Sequence, residues 1–410
     1  MKALKLSLLL FLGSSSLVAN ENNATLDSYI SQYKQSEFQY DYRKNEAESL
    51  KLRDSWIAPI NLNYSFSRSK PYEKEQQNES AAIKMDQPIF QSGGIYYGIK
   101  FAKASKLYSD YTIDVAKRKM IKDAVMLLMQ IKQSDLKIQK QELLIKNSEI
   151  NLAQKKEEYL SGQLDSGFLD NAIIQRNIVI QTLYDIETAK EKLVTQFQSL
   201  SDLNYKTATI PHLEYLTPEE FLQHNIVLKQ KESEIQKNRY AKDVRVAKYL
   251  PRVNITAGYN WSKSDGQQIY AGGQLFDSSK EMSYYDYGFH VNVPLDVNTF
   301  RDIESAKVDY LKSQVVRKDK QRELQALFMQ VMHNIENFDK KIAFSNENKK
   351  LYAKLLEDTK ELYSAGYKTE YDVNTLKNSL HIQDVDTKIY QIDKQLELLN
   401  LYEMYVNSGE

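Results

Sequence analysis

The side chains able to do chemistry are scattered rather than gathered. The five histidines, His212, His224, His290, His333 and His381, form no HExxH or other metal-ligand spacing. There is no cysteine. That excludes a disulfide scaffold, a thiolate metal site, a cysteine nucleophile and a lipid-modified N-terminal cysteine. Gly93-Gly94 and Gly272-Gly273 are lone pairs rather than phosphate loops; the first marks a strand-to-helix bend and the second a loop tip. SxxK strings such as Ser134 to Lys137 lie on polar helical faces. No catalytic constellation, metal or cofactor is expected. One stretch does concentrate polar chemistry. In YSAGYKTEYDVNT the Tyr363 phenol, the Lys368 ammonium and the Asp372 carboxylate flank Gly366, inside sequence that otherwise reads as helix. A glycine there costs about 1 kcal/mol relative to alanine, so it needs a reason. YLSGQLDSGFLDNA, around Gly162, raises the same question close to 200 residues earlier.

The elements that must position these residues follow from composition and pattern. The chain has 410 residues, zero formal net charge, 13 glycines and 7 prolines. Neutrality gives no reason to expect a nucleic-acid partner, and so few breakers favour long uninterrupted elements. Residues 1–19, MKALKLSLLLFLGSSSLVA, carry two lysines and an apolar run from Leu6 to Leu12. They read as a secretory signal peptide cut after Ala19, the run being too short to span a bilayer. No later run of about 18 apolar residues occurs. If the mature chain sits in a membrane, it must do so as a barrel.

The chain repeats itself. Pro59 and Pro251 open strand-like segments, Pro88 and Pro294 close others, and Gly162 and Gly366 follow, each pair separated by close to 200 residues. The division is a first repeat at 20–210, with strands near 59–68 and 80–88 and a turn near 162. A second repeat at 211–410 has strands near 252–262 and 284–294 and a turn near 366. Thr217-Pro218 reads as the cap and first residue of a new helix at the seam. In the strands Ile60, Leu62, Tyr64 and Phe66 alternate with polar residues. Val253, Ile255, Ala257, Tyr259 and Trp261 do the same, as do Tyr285, Tyr287, Phe289, Val291 and Val293. The pattern around Ile83 and Met85 is weaker. Such alternation suits a membrane strand with a lipid face and a lumen face; a surface hairpin packed on a core is the alternative. Aromatic clusters near the strand ends, with polar connections at Lys70–Glu79 and Asp265–Met282, favour the membrane. Closed barrels need about eight strands, so four per chain require several chains.

The rest reads as helix. Ile95–Leu160 and Arg301–Ala365 are each roughly 65 residues, about 100 Å at 1.5 Å per residue. Thr25–Ile57, Leu169–Leu200, Glu219–Tyr249 and Tyr371–Tyr405 are about half as long. Two short helices end to end therefore match one long one, as in a tube wall. Ile131, Ile138, Ile145, Leu152 and Tyr159 recur every seven residues, and Leu136, Leu143 and Ile150 form a stripe on the opposite flank. Such a helix buries both sides and keeps two polar faces. Leu324, Val331 and Phe338 beside Phe328, Ile335 and Ile342 make a coiled-coil seam. A non-membrane periplasmic coiled-coil structural or adaptor protein is the alternative reading of the helices alone.

Over essentially its whole mature length the chain resembles the TolC-like outer membrane efflux proteins. The order signal, helix, strand pair, long helix, glycine turn and helix, all given twice, carries the resemblance. So does Tyr363-x-x-Gly366-x-Lys368-x-x-x-Asp372-Val373, which looks like the family's turn. The resemblance implies an α+β, internally duplicated chain: a long antiparallel α-helical coiled-coil tunnel plus four transmembrane strands contributing to a twelve-stranded trimeric β-barrel. It also implies a homotrimer in outer membrane lipid, spanning into the periplasm. A periplasmic adaptor protein would dock at the turns of Gly162 and Gly366, and an inner-membrane RND or ABC transporter would supply the energy. The implied role is a passive exit duct for drugs, toxic small molecules or polypeptides, in multidrug efflux or type I secretion. In the family a tyrosine, a basic residue and acids at this tip close the entrance; here Tyr363, Lys368 and Asp372 match by position. Thr375 stands where a further aspartate is found, and lysine replaces an arginine that could pair bidentately. In the first turn Phe168 falls at the acidic position, with Asp165 and Asp170 near it; Asp170 aligns after a one-residue shift. Three copies of Asp372 around one axis would repel and could bind cations; a solvated acid on a polar face is the alternative.

Overall fold

The computed structural model describes residues 26–72, 74–271 and 274–406. The signal segment and Gly272-Gly273 lie outside the described residues. A 3₁₀ turn, Leu26–Tyr29, leads into α1, Gln32–Arg53, capped by the Ser31 hydroxyl accepting from the Lys34 amide. The hairpin β1, Asn61–Tyr72, and β2, Lys74–Phe90, is followed by α2, Gly94–Leu160, and α3, Ser166–Leu200. Then come α4, Pro218–Gln223, and α5, Ile226–Lys248. The hairpin β3, Arg252–Ala271, and β4, Gln274–Asn292, precedes α6, Thr299–Ser364, and α7, Glu370–Tyr402. Among the described residues no helix is long and apolar enough to cross a membrane.

The four strands form one antiparallel sheet in the order β1-β2-β3-β4. Its register sorts the side chains by face. Leu62, Ile83, Tyr259 and Tyr285 sit level with one another, as do Tyr64, Ala81, Trp261 and Ser283, and Ile255 pairs with Phe289. These apolar rows share a face and are exposed: Tyr287 is 81% and Phe289 74% accessible. The opposite face is polar and internally bonded. Ser65 meets Ser80 at 2.8 Å, Asn254 donates to Asp86 at 2.9 Å, and Asn260 donates to Asp286 at 2.6 Å. The apolar rows end where Glu79, Lys263 and Glu281 come level with Phe66. There the Trp261 indole donates to Glu281 at 2.8 Å, an aromatic with one apolar side and one polar tip.

The strands are longer than the alternation suggests. Lys70–Glu79 and Asp265–Met282 were expected to be connections, yet β1 runs to Tyr72, β2 starts at Lys74, β3 runs to Ala271 and β4 starts at Gln274. The reason is physical. Beyond the apolar rows the sequence no longer alternates strictly between apolar and polar residues, while the backbone ladder continues.

The helices make a wall. The junction of α3 with α1 is tied by the Ser31 amide donating to the Leu200 carbonyl at 2.8 Å, so the two stack end to end along one side of α2. α7 meets α5 in the same way, through Ile226 donating to Met404 at 2.8 Å and Val406 to His224 at 3.0 Å. That second stack lies between α2 and α6. The expected single helix over Glu219–Tyr249 is instead α4 and α5. Asn225 breaks it, its side chain accepting from the Val227 and Leu228 amides to start a new helix. Thr217 and Glu220 cap α4 reciprocally. The first helix likewise starts later than expected, after the 3₁₀ turn. The core lies at the level of the two junctions. Val125, Leu128, Met129 and Ile131 of α2 are fully buried with Phe197, Phe221 and Leu401, and Leu324, Val331 and Ile335 of α6 close it. Each such side chain contributes about 1.5–3 kcal/mol by leaving water.

Candidate functional site

The two interhelix turns are built alike. α2 ends in a left-handed Gly162 (φ 75°) and α6 in a left-handed Gly366 (φ 82°). The Gly162 amide donates to Tyr159 at 3.0 Å and Gln163 to Glu158 at 2.9 Å. Gly366 donates to Tyr363 at 3.0 Å and Tyr367 to Leu362 at 2.8 Å. This is the Schellman pair of bonds, which satisfies the last carbonyls of a helix. Space is open around both glycines, so it is the positive φ that calls for glycine.

Acids near the turns start the returning helices. Asp165 accepts from the Gly167 amide at 2.7 Å and caps α3. Asp372 forms a capping box with Thr369, accepting from its amide and its hydroxyl, both at 2.9 Å. These bonds, the backbone one first, hold the Asp372 carboxyl below the usual carboxylate range. Lys368 stands 4.0 Å from Asp372. Tyr363 is 46% exposed, and neither it nor the exposed Asp170 has a side-chain partner among the described residues. The structure thus brings Lys368 to Asp372 and leaves Tyr363 and Asp170 apart from them.

A pair that sequence reasoning missed ties the two turns together. The Tyr371 hydroxyl donates to Glu157 Oε1 at 2.9 Å, joining α7 to α2. The Glu157 carboxylate raises the Tyr371 hydroxyl pKa. Further polar contacts continue the seam upward: Asn378 to Asn147 at 2.8 Å, Lys140 to Asp386 at 2.7 Å and Gln133 to Asp393 at 2.6 Å. Steps of seven or eight residues along α7 are the one signal that could have found them. Burial raises the Asp393 pKa. Among the described residues no cluster of three His, Cys, Asp or Glu side chains could hold a metal. His290 lies on the polar face of the sheet, opposite Asn254.

Asp384 fastens α7 to α6 from the other side, with Lys349 at 2.6 Å and Lys388 at 2.9 Å. Hydrogen bonds from these two lysines lower its pKa to about 2. A folded-state pKa below the unfolded value stabilises above the unfolded value and is lost as pH falls through the folded one. The thermal stability lead of the wild type over Asp384→Asn is therefore expected to hold at neutral pH and to close as pH falls from about 4 toward the folded value. Calorimetry across that window checks it.

A four-strand meander with one apolar face, set above a wall of roughly 100 Å helices, is the architecture of an outer membrane channel subunit. Solved structures agree. The chain superposes on the Campylobacter jejuni CmeC outer membrane channel with TM-score 0.71 and 12% identity, covering 92% of this chain and 84% of that one. For the outer membrane protein VceC of Vibrio cholerae the values are 0.71 and 12%, covering 93% and 96%. For the open Neisseria gonorrhoeae MtrE outer membrane channel they are 0.64 and 12%, covering 92% and 86%. No curated protein matches the chain. Residues 217–405 match the outer membrane efflux protein family, and the chain as a whole has the fold of these outer membrane channels. The family and the structures it resembles are outer membrane proteins.

Proposed function

We propose that the chain forms a homotrimer acting as the passive exit duct of a tripartite efflux pump or a type I secretion system. The observation that carries this is the sheet: β1 and β4 each lack a neighbour on one side. An open edge is untenable in lipid. Pairing β4 of one copy with β1 of the next, three times over, gives twelve strands and no edge. The wall supports the same closure. α3 exposes Ile174 and Ile178 at one margin, and α6 exposes Met329, Phe344 and Leu351 at the other, faces that a second copy would cover. The repeated order of elements reads as duplication, with repeats at 20–210 and 211–410 behind a signal peptide.

In this reading the turns of Gly162 and Gly366 lie at the periplasmic tip and meet an adaptor protein, and an inner-membrane RND or ABC transporter supplies the energy. Drugs, toxic small molecules or polypeptides are the cargo. The gate is a tip network of Tyr363, Lys368, Asp372 and Asp170 in the assembled trimer, joined by the Tyr371–Glu157 bond within each chain. The test is electrophoresis of the detergent-extracted outer membrane fraction with and without boiling. A heat-labile trimer band is expected; a water-soluble monomer would overturn the reading.

A further inference from the structure

Where the helices meet the sheet, a groove of about 430 Å³ is lined by Phe101 of α2, by Ala241, Val244, Arg245 and Lys248 of α5, and by Arg252, the first residue of β3. That volume is in the range of small-molecule sites. Arg245, Lys248 and Arg252 follow one another by three and four residues, so the cations form a strip leading from the helix into the strand. By register Arg252 lies opposite Asn292, on the polar face that carries Asn254 and His290. Arg245 is engaged with Asp302 at 3.1 Å. Lys248 and Arg252 make no salt bridge among the described residues. Three cations against one carboxylate leave the groove electropositive in a chain whose net charge is zero. Phe101 and Val244 supply apolar surface beside that charge.

We infer that this groove is a lumenal binding site for amphiphilic anions, compounds with a sulfonate, carboxylate or phosphate head and a short apolar body. The inference rests on the channel reading, which turns the polar face of the sheet inward. Three copies would then form a cationic girdle at the neck between tunnel and barrel, and anions leaving the tunnel would dwell there.

The test uses the full-length trimer in planar bilayers and decane-1-sulfonate as the probe. Wild-type current should be blocked by the probe, and Lys248→Gln with Arg252→Gln should need about tenfold more of it, the equivalent of about 1.4 kcal/mol. Block by decyltrimethylammonium should not weaken in that variant. Both side chains lie outside the core, and Arg245 is left in place to keep its bond to Asp302. Equal block of wild type and variant overturns the site while leaving the channel intact. A wild-type trimer that does not conduct overturns the channel reading instead. Equilibrium dialysis of the probe against trimers in zwitterionic nanodiscs then decides the site alone: weaker binding by the variant supports it, and equal binding overturns it.

Discussion

Tyr371→Phe combined with Glu157→Gln is expected to raise the resting conductance of the trimer in planar bilayers several-fold. Phenylalanine removes the donated proton, and glutamine removes the charge that draws it. The pair joins α7 to α2 within five residues of each turn, Glu157 before Gly162 and Tyr371 after Gly366. It is the lowest rung of the α2–α7 seam and so limits how far the α6–α7 hairpin can swing from the α2–α3 hairpin. Upper rungs such as Lys140–Asp386 sit nearer the core, where packing also holds the helices. Asn378→Ala should therefore change conductance less than the double variant. Unaltered current in the double variant, with wild-type trimer yield, would remove this bond from the gate. Asp372→Ala separates the two duties of that residue. Since its carboxylate caps α7, it should loosen the first turn of α7 as well as altering any charge ring at the tip.

Ile255→Arg is expected to abolish assembly of the barrel. Ile255 lies on the apolar face, level with Phe289, where an arginine near the middle of the bilayer costs about 2–4 kcal/mol per copy. Asn254→Arg is the control. It is one residue away on the polar face, beside Asp86, and should assemble normally. Heat-modifiable mobility in the outer membrane fraction reads both. Equal assembly of the two variants would mean that the faces do not divide lipid from lumen.

Much of this fold is legible in the sequence because most of it is written in local periodicity. Ile131 and Leu324 recur with their stripes and are buried; Leu62, Ile255 and Phe289 alternate and share a face. The missing parts are those that local pattern cannot carry. The upper hairpins lose the strict period-two alternation, although their backbones stay paired. The break at Asn225 depends on α7 arriving from far along the chain to pair Tyr405 with Asn225. The seam from Tyr371 to Asp393 uses ordinary polar residues on solvated-looking faces, and only the packing of α7 on α2 gives them partners. The site was legible in its glycines, whose positive φ is a backbone demand. The hydrogen bonds around them were not.

The length of the second hairpin has its own consequence. The 20 residues of β3 rise about 65 Å at roughly 3.3 Å each. Tilted by about 40°, they still stand some 50 Å tall against an apolar band of about 25 Å. About half of that strand therefore lies beyond the bilayer, and so does the top of the first hairpin: Gln77 is level with Asp265, and β1 is shorter at its other end, where Asn61 and Lys84 lie level with Gly258. In the proposed trimer the two hairpins of each copy then make one raised collar around the exit. In that reading the collar releases cargo above the lipid surface rather than into it.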